Sequence, residues 1–330
     1  MNSRTVRVLA ALIIGLVLVL LALRGNDGSD VATGQPLLPE LQAAANTATQ
    51  VVIRASGSDE AVTIQRTEDR WTVGERGNYA ADVSKLRQLV IALADADVVE
   101  EKTSNPEQYE KLGVGDPDNG GTGTKVTISG PDYAYTVILG NKTQGKFRYV
   151  RVDGNPTSYL IDKDPTLPSS ADDWLLADIL DIAAQRVQKV SISHADGETI
   201  VIAKDDQQQT DFVVRDIPDG RKLSYPTVAN GIAGALGALK LEGVRARIAA
   251  PATTTVAYAL WNGVSIGAEV VADGDQSWVS FAATMAGEEA GAADEAAAIN
   301  TRLDGWQYRL PEYKQNLLTR RWDDMLQAAD

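Results

Sequence analysis

The chain has 330 residues, 44% of them hydrophobic, with a formal charge of −14, one histidine and no cysteine. That is apolar enough for a packed core, which excludes a disordered tail, and acidic without Lys/Arg clusters, which excludes a nucleic-acid binder. With no thiol there is neither a disulfide nor a lipid-modified N-terminus, so stability must come from burial alone.

Val8 to Leu23 are unbroken apolar residues, preceded by Arg4 and Arg7 and followed by Arg24. As a helix this run reaches about 24 Å at ~1.5 Å per residue, and Val6 with the aliphatic stems of Arg7 and Arg24 extends it towards a ~30 Å hydrocarbon core. A cleaved secretory signal begins in a similar way, but the nearest small-residue site, Val31 to Thr33, is poor, so the run is read as an uncleaved signal-anchor. Two arginines before the span, against Arg24 with Asp27 and Asp30 after it, keep the short tail cytoplasmic and export the body. The expectation is a single-pass protein of the bacterial inner membrane: residues 1–24 tail and anchor, 25–50 linker, 51–185 a first unit and 186–330 a second.

Structure is expected to begin near Val51. Alternating apolar residues predict strands over 51–55, 61–65 and 71–73. Asp82 then starts a helix whose stripe is Val83, Leu86, Leu89, Val90, Leu93 and Ala96, ending near Asp95, and a strand leaves it at 98–101. Pro106 opens a short helical element that Gly113 closes, and Gly115 to Gly123 form a loop. Strands over 125–129, 133–139, 147–152 and 158–161 make an antiparallel meander through glycine turns. Asp172 or Asp173 is expected to cap a helix carrying Trp174, Leu175, Ile179 and Ile182.

From Arg186 the order starts over. Strands over 187–193, 199–203 and 212–215, a helix after Pro226 and a strand over 241–248 precede a second meander over 253–260, 264–272 and 278–282, with Asp273-Gly274 as its turn. Residues 286–298 read as a polar insertion, 305–310 as a strand, and the segment after Pro311 as a docking helix bearing Tyr313, Leu317, Leu318, Trp322 and Leu326. The fold class is therefore α+β: a transmembrane helix followed by two similar antiparallel meander units with packed helices, an internal duplication.

No catalytic, cofactor or metal site emerges. His194, the sole histidine, ends a strand beside the turn Ala195-Asp196-Gly197 and is expected to face solvent without a role. Asp116, Asp118 and Gly120 resemble the start of a calcium loop, but the twelfth position is Thr127, so the stretch is read as a plain loop. The neighbours Asp172-Asp173, Asp205-Asp206, Glu288-Glu289 and Asp323-Asp324 point apart on any regular element and do not set a glycosidase separation. Trp71, Trp174, Trp261, Trp278, Trp306 and Trp322 could line a sugar groove, but nearly all sit at apolar phase in a predicted element, so core packing is the expectation.

The stretch DRWTVGERGNYAADVSKLRQLVIAL, residues 69–93, with its Ala81-Asp82 helix start, and YEKLGVGDP, residues 109–117, resemble a bacterial envelope family known as domain of unknown function 4340. Leu112-Gly113-Val114 reverses that family's glycine-leucine order. The resemblance implies a non-catalytic periplasmic accessory of an ABC transporter, with an integral-membrane permease and an auxiliary subunit as partners. The alternatives are an envelope glycan hydrolase and a periplasmic ligand-binding module.

Overall fold

The computed structural model describes residues 33–58, 60–68, 70–168, 170–285 and 291–327. They divide into two compact units: the described residues up to Gly74 with Val83–Ala171, and Glu75–Asp82 with the described residues from Asp172 onward. The expected anchor, Val8 to Leu23, lies outside the described residues, and no helix among those described is long and apolar enough to cross a membrane.

In chain order the first half contains α1 (Pro39–Ala44), β1 (Gln50–Arg54), β2 (Val62–Thr67), β3 (Arg70–Val73), β4 (Tyr79–Ala80, in the excursion that clusters with the second unit), α2 (Val83–Ala94) and β5 (Val98–Thr103). Then come α3 (Tyr109–Leu112), β6 (Thr124–Gly130), β7 (Tyr133–Lys142), β8 (Arg148–Val152) and β9 (Ser158–Ile161). Within the first unit the strands pair antiparallel in the order β3-β2-β1-β6-β7-β8-β9-β5.

Period-two alternation puts Val51, Ile53, Ile64, Val126, Ile128 and Val137 on one buried inner face. The helix α2 adds its stripe of Leu86, Leu89, Val90 and Leu93 to that core, while Val83 is left exposed. Structure starts earlier than the alternation suggests. Pro36 bridges to Asp97, and Leu37, Leu38 and Leu41 are buried, so the distal part of the expected linker is folded onto this unit.

The opposite, outer face of the first sheet is also covered. Ile138 lies on it, paired with Lys125 and fully buried. The segment 112–123 lies across this face so closely that a Cβ on Gly140 would stand 2.3 Å from the Leu112 carbonyl, and one on Gly123 2.4 Å from the Ile138 side chain. Arg151 ties the cover down by donating to the Val114 carbonyl and stacking 4.7 Å from the Tyr109 ring. At the end of this sheet Asp164 accepts from Lys142 at 2.5 Å and Arg148 at 2.7 Å. Burial pushes its carboxyl up, but those two cations outweigh this and hold it below its ordinary value.

The second unit contains β10 (Asp178–Leu180), β11 (Val187–His194), β12 (Thr199–Ala203), β13 (Val213–Arg215), α4 (Val228–Ala233), β14 (Leu239–Lys240) and β15 (Gly243–Ala246). It continues with β16 (Thr254–Leu260), β17 (Val264–Asp273), β18 (Gln276–Met285), α5 (Ala292–Leu303), β19 (Trp306–Arg309), α6 (Glu312–Leu318) and α7 (Trp322–Met325). The main sheet has the order β13-β12-β11-β16-β17-β18-β19-β15, and β10 pairs with β14 in a separate ribbon. Val190, Ile192, Val256, Tyr258, Ile266 and Val270 face the core, where the Tyr258 hydroxyl donates to the Ile232 carbonyl of α4. The excursion Glu75–Asp82 completes this unit. Tyr79 is buried edge-on against Trp306 at 5.0 Å and Tyr308 at 6.1 Å, and Arg76 pairs with Asp172 at 2.6 Å.

The architecture is thus mixed α+β with mostly antiparallel sheets, and three expectations need correction. The helix expected after Asp172 is instead a 3-10 turn, Ala171–Trp174, followed by β10. Its backbone bonds to other segments: Leu176 N–H to the Ala80 carbonyl, and β10 to β14. The expected polar insertion contains α5, which buries Ala292, Ala296, Ile299 and Leu303; residues 286–290 lie outside the described residues. The single C-terminal docking helix is two, α6 and α7. They are separated where Arg320 turns its carbonyl to His194 and Asp324 accepts from the Arg321 N–H.

Candidate functional site

His194 is not solvent-facing. It shares the core face of β11 with Val190 and Ile192 and is 6% exposed. Nε2 lies 3.1 Å from the Arg320 carbonyl and Nδ1 3.0 Å from the Thr254 hydroxyl. A carbonyl only accepts, so Nε2 carries the proton, and in a neutral ring Nδ1 accepts from Thr254. Both nitrogens are occupied, Nδ1 with the neighbouring strand β16 and Nε2 in fastening the chain beyond α6.

Asp116 accepts from the Asp118 N–H in its own turn, and both carboxylates are matched by cations: Lys125 stands 3.1 Å from Asp116 and 2.8 Å from Asp118, and Arg54 2.6 Å from Asp118. The Lys125 contact holds Asp118 below its ordinary value, and Asp118 in turn raises Lys125. Thr127 lies in β6 with its hydroxyl 2.9 Å from that of Thr136. Among the acidic neighbours, Asp172 pairs with Arg76, Asp205 with Arg215, and Asp324 caps α7; Glu288-Glu289 lie outside the described residues. Only Trp174 among the six tryptophans is fully buried; the others are half-buried, which corrects the expectation of core packing.

Two concave surfaces stand out, one on each unit. On the first, a recess of about 260 Å³ opens between the turn after α1, Trp71 of β3 and the outward side of α2. Val83 is 41% and Ile91 49% exposed at its rim, and Arg66 and Arg87, which also line it, have no carboxylate partner among the described residues. On the second, a groove of about 340 Å³ runs over the outer face of the main sheet, floored by Ala257, Gly267 and Ala282. The pair Arg247–Glu269, 2.5 Å apart, stands over it, and a second cavity of about 320 Å³ sharing Arg247 and Ser280 continues to Trp306.

Sequence reasoning singled out neither surface. The available signal for the groove was Ser191/Ser193, Thr255/Ala257 and Ser280/Ala282, small residues at the outward phase of strands where a solvated sheet ordinarily carries longer polar side chains.

Two antiparallel meander units with helices on their cores define an α+β protein. The chain belongs to the family described as Domain of unknown function (DUF4340), whose model matches residues 71–262, more than half of its length. No curated protein and no solved structure matches it.

Proposed function

We propose that the chain is a non-catalytic binding and scaffolding protein, anchored in the bacterial inner membrane by Val8 to Leu23 with its body in the periplasm. Its partner on this reading is the permease or auxiliary subunit of an ABC transporter. The observation that carries the binding role is the recess on the first unit. Trp71 with the exposed Val83 and Ile91 forms an apolar centre, and Arg66 and Arg87 add uncompensated positive charge to an otherwise acidic chain. Tryptophan and arginine around an apolar pocket are the composition of a protein-binding hot spot. The occupant that fits is an apolar side chain on an acid-flanked exported segment of the transporter.

Co-purification from native-level expression in a mild detergent tests this. The permease should accompany the wild-type chain and be lost with Ile91→Glu while the thermal melt is unchanged; recovery of the wild type as a lone monomer counts against it. Protease protection should place the body outside the cytosol, and zymograms on cell-wall glycans should stay blank.

The identical strand orders, together with the matched positions of α2 and α4 before β5 and β15, support an internal duplication. Superposition in which the buried faces of corresponding strands failed to coincide would remove that support.

A further inference from the structure

The groove on the second unit carries chemistry that scaffolding leaves unused. Ser280 stands on β18 directly opposite Glu269 of β17, is 4% exposed, and lines both adjoining cavities. Its hydroxyl has no protein hydrogen-bond partner among the described residues and is not sealed off, so it is left to whatever occupies the groove, solvent or ligand. Ser191, Ser193 and Thr255 bring three more hydroxyls to the groove, also without a side-chain partner among the described residues. The floor of Ala257, Gly267 and Ala282 is flat and backbone-rich.

We propose that this groove binds a short, electrically neutral saccharide. Arg247 and Glu269 already neutralise each other. An anion would have to take Arg247 from Glu269 in a chain of net charge −14, and a cation would have to take Glu269 from Arg247. A pair of adjacent sugar hydroxyls avoids both costs: one oxygen accepts from the guanidinium while the other donates to the carboxylate, so the ion pair stays intact as it reads the ligand. The Ser280 hydroxyl then exchanges water for a ligand hydroxyl, and the half-buried Trp306 in the adjoining wall offers an aromatic surface to a second ring. Cavities of about 340 and 320 Å³ fall at the small end of the roughly 300–1,000 Å³ found for small-molecule sites. An apolar protein surface laid here would leave the Ser280 hydroxyl unsatisfied.

The full chain in phosphatidylcholine nanodiscs, free of sugar-headed detergent, is titrated calorimetrically with chitotriose, cellotriose and maltotriose, and with trigalacturonate as the charged comparison. At least one neutral trisaccharide should bind with Kd below about 1 mM. Ser280→Ala and Glu269→Gln should each weaken it about tenfold, the effect of one polar contact, with the melting temperature unchanged. Glu269 is half exposed, so its variant folds whatever Ser280→Ala does. No binding of any neutral sugar, tighter binding of trigalacturonate, or affinity untouched by both variants overturns the proposal. Permease capture should be indifferent to Ser280→Ala, which separates this site from the recess on the first unit.

Discussion

The two sheets run through their strands in the same order yet treat their outer faces in opposite ways. In the first unit the connection between β5 and β6 spans residues 104–123, long enough to fold back over the sheet and bury Ile138. In the second the corresponding connection, between β15 and β16, is residues 247–253, and the face bearing Ser191, Thr255 and Gly267 stays open. Strand order sets the ladder of hydrogen bonds; the length of one connection decides whether the far side of the sheet becomes core or surface.

The strongest way to break this comparison is to truncate the covered face. Ile138→Ala should cost about 2–5 kcal/mol, as for a fully buried aliphatic, whereas Thr255→Ala on the open face should stay within about 0.5 kcal/mol. Urea unfolding of the full chain, with hydrogen exchange read by mass spectrometry to assign each unit, measures both; equal losses would mean that the faces do not differ. Next in size are the glycines. Gly140→Ala drives a Cβ into the Leu112 carbonyl and should cost about 1–3 kcal/mol, while Gly267→Ala meets nothing nearer than 3.7 Å and should be neutral or gain up to about 1 kcal/mol from strand entropy.

A pH series sharpens the contrast further. Because Asp164 titrates lower in the folded state than its ordinary 3.8, it stabilises the first unit above that pH, and the contribution is lost as pH falls through the depressed folded value. Asp164→Asn should flatten that acid limb, and an unchanged limb would show that the pairing with Lys142 and Arg148 carries none of it. Smallest should be Arg247→Ala, which removes a largely exposed ion pair worth less than about 1 kcal/mol and should leave the urea midpoint nearly unmoved.

Much of this fold was legible where a single periodicity ran undisturbed. The α2 stripe repeats at three and four residues, and the glycine turns of both meanders sit at hairpin spacing. Legibility failed where partners come from far along the chain. Trp174, Leu175, Ile179 and Ile182 share helical spacing, but the backbone there bonds to residues 80–82 and to β14. In α5 the contact residues include Ala292 and Ala296, too small to register as an apolar stripe although they recur at a spacing of four. His194 was misplaced because its neighbouring turn outweighed its phase, which it shares with Val190 and Ile192. Of the surfaces, Trp71 and Val83 were visible only as core positions and Ile91 carried no signal, and the groove depends on Arg247, just after β15, meeting Glu269 of β17, a pairing that no local pattern encodes.

The excursion Glu75–Asp82 has a consequence for dissection and for synthesis. A fragment starting at Asp172 would leave Trp306 and Tyr308 without the ring of Tyr79, and Asp172 without Arg76, so it should be sticky and incompletely closed. On the ribosome, those eight residues emerge early but find their aromatic acceptors only when the last strand appears, so that the final stage of maturation joins an early part of the polypeptide to a late one.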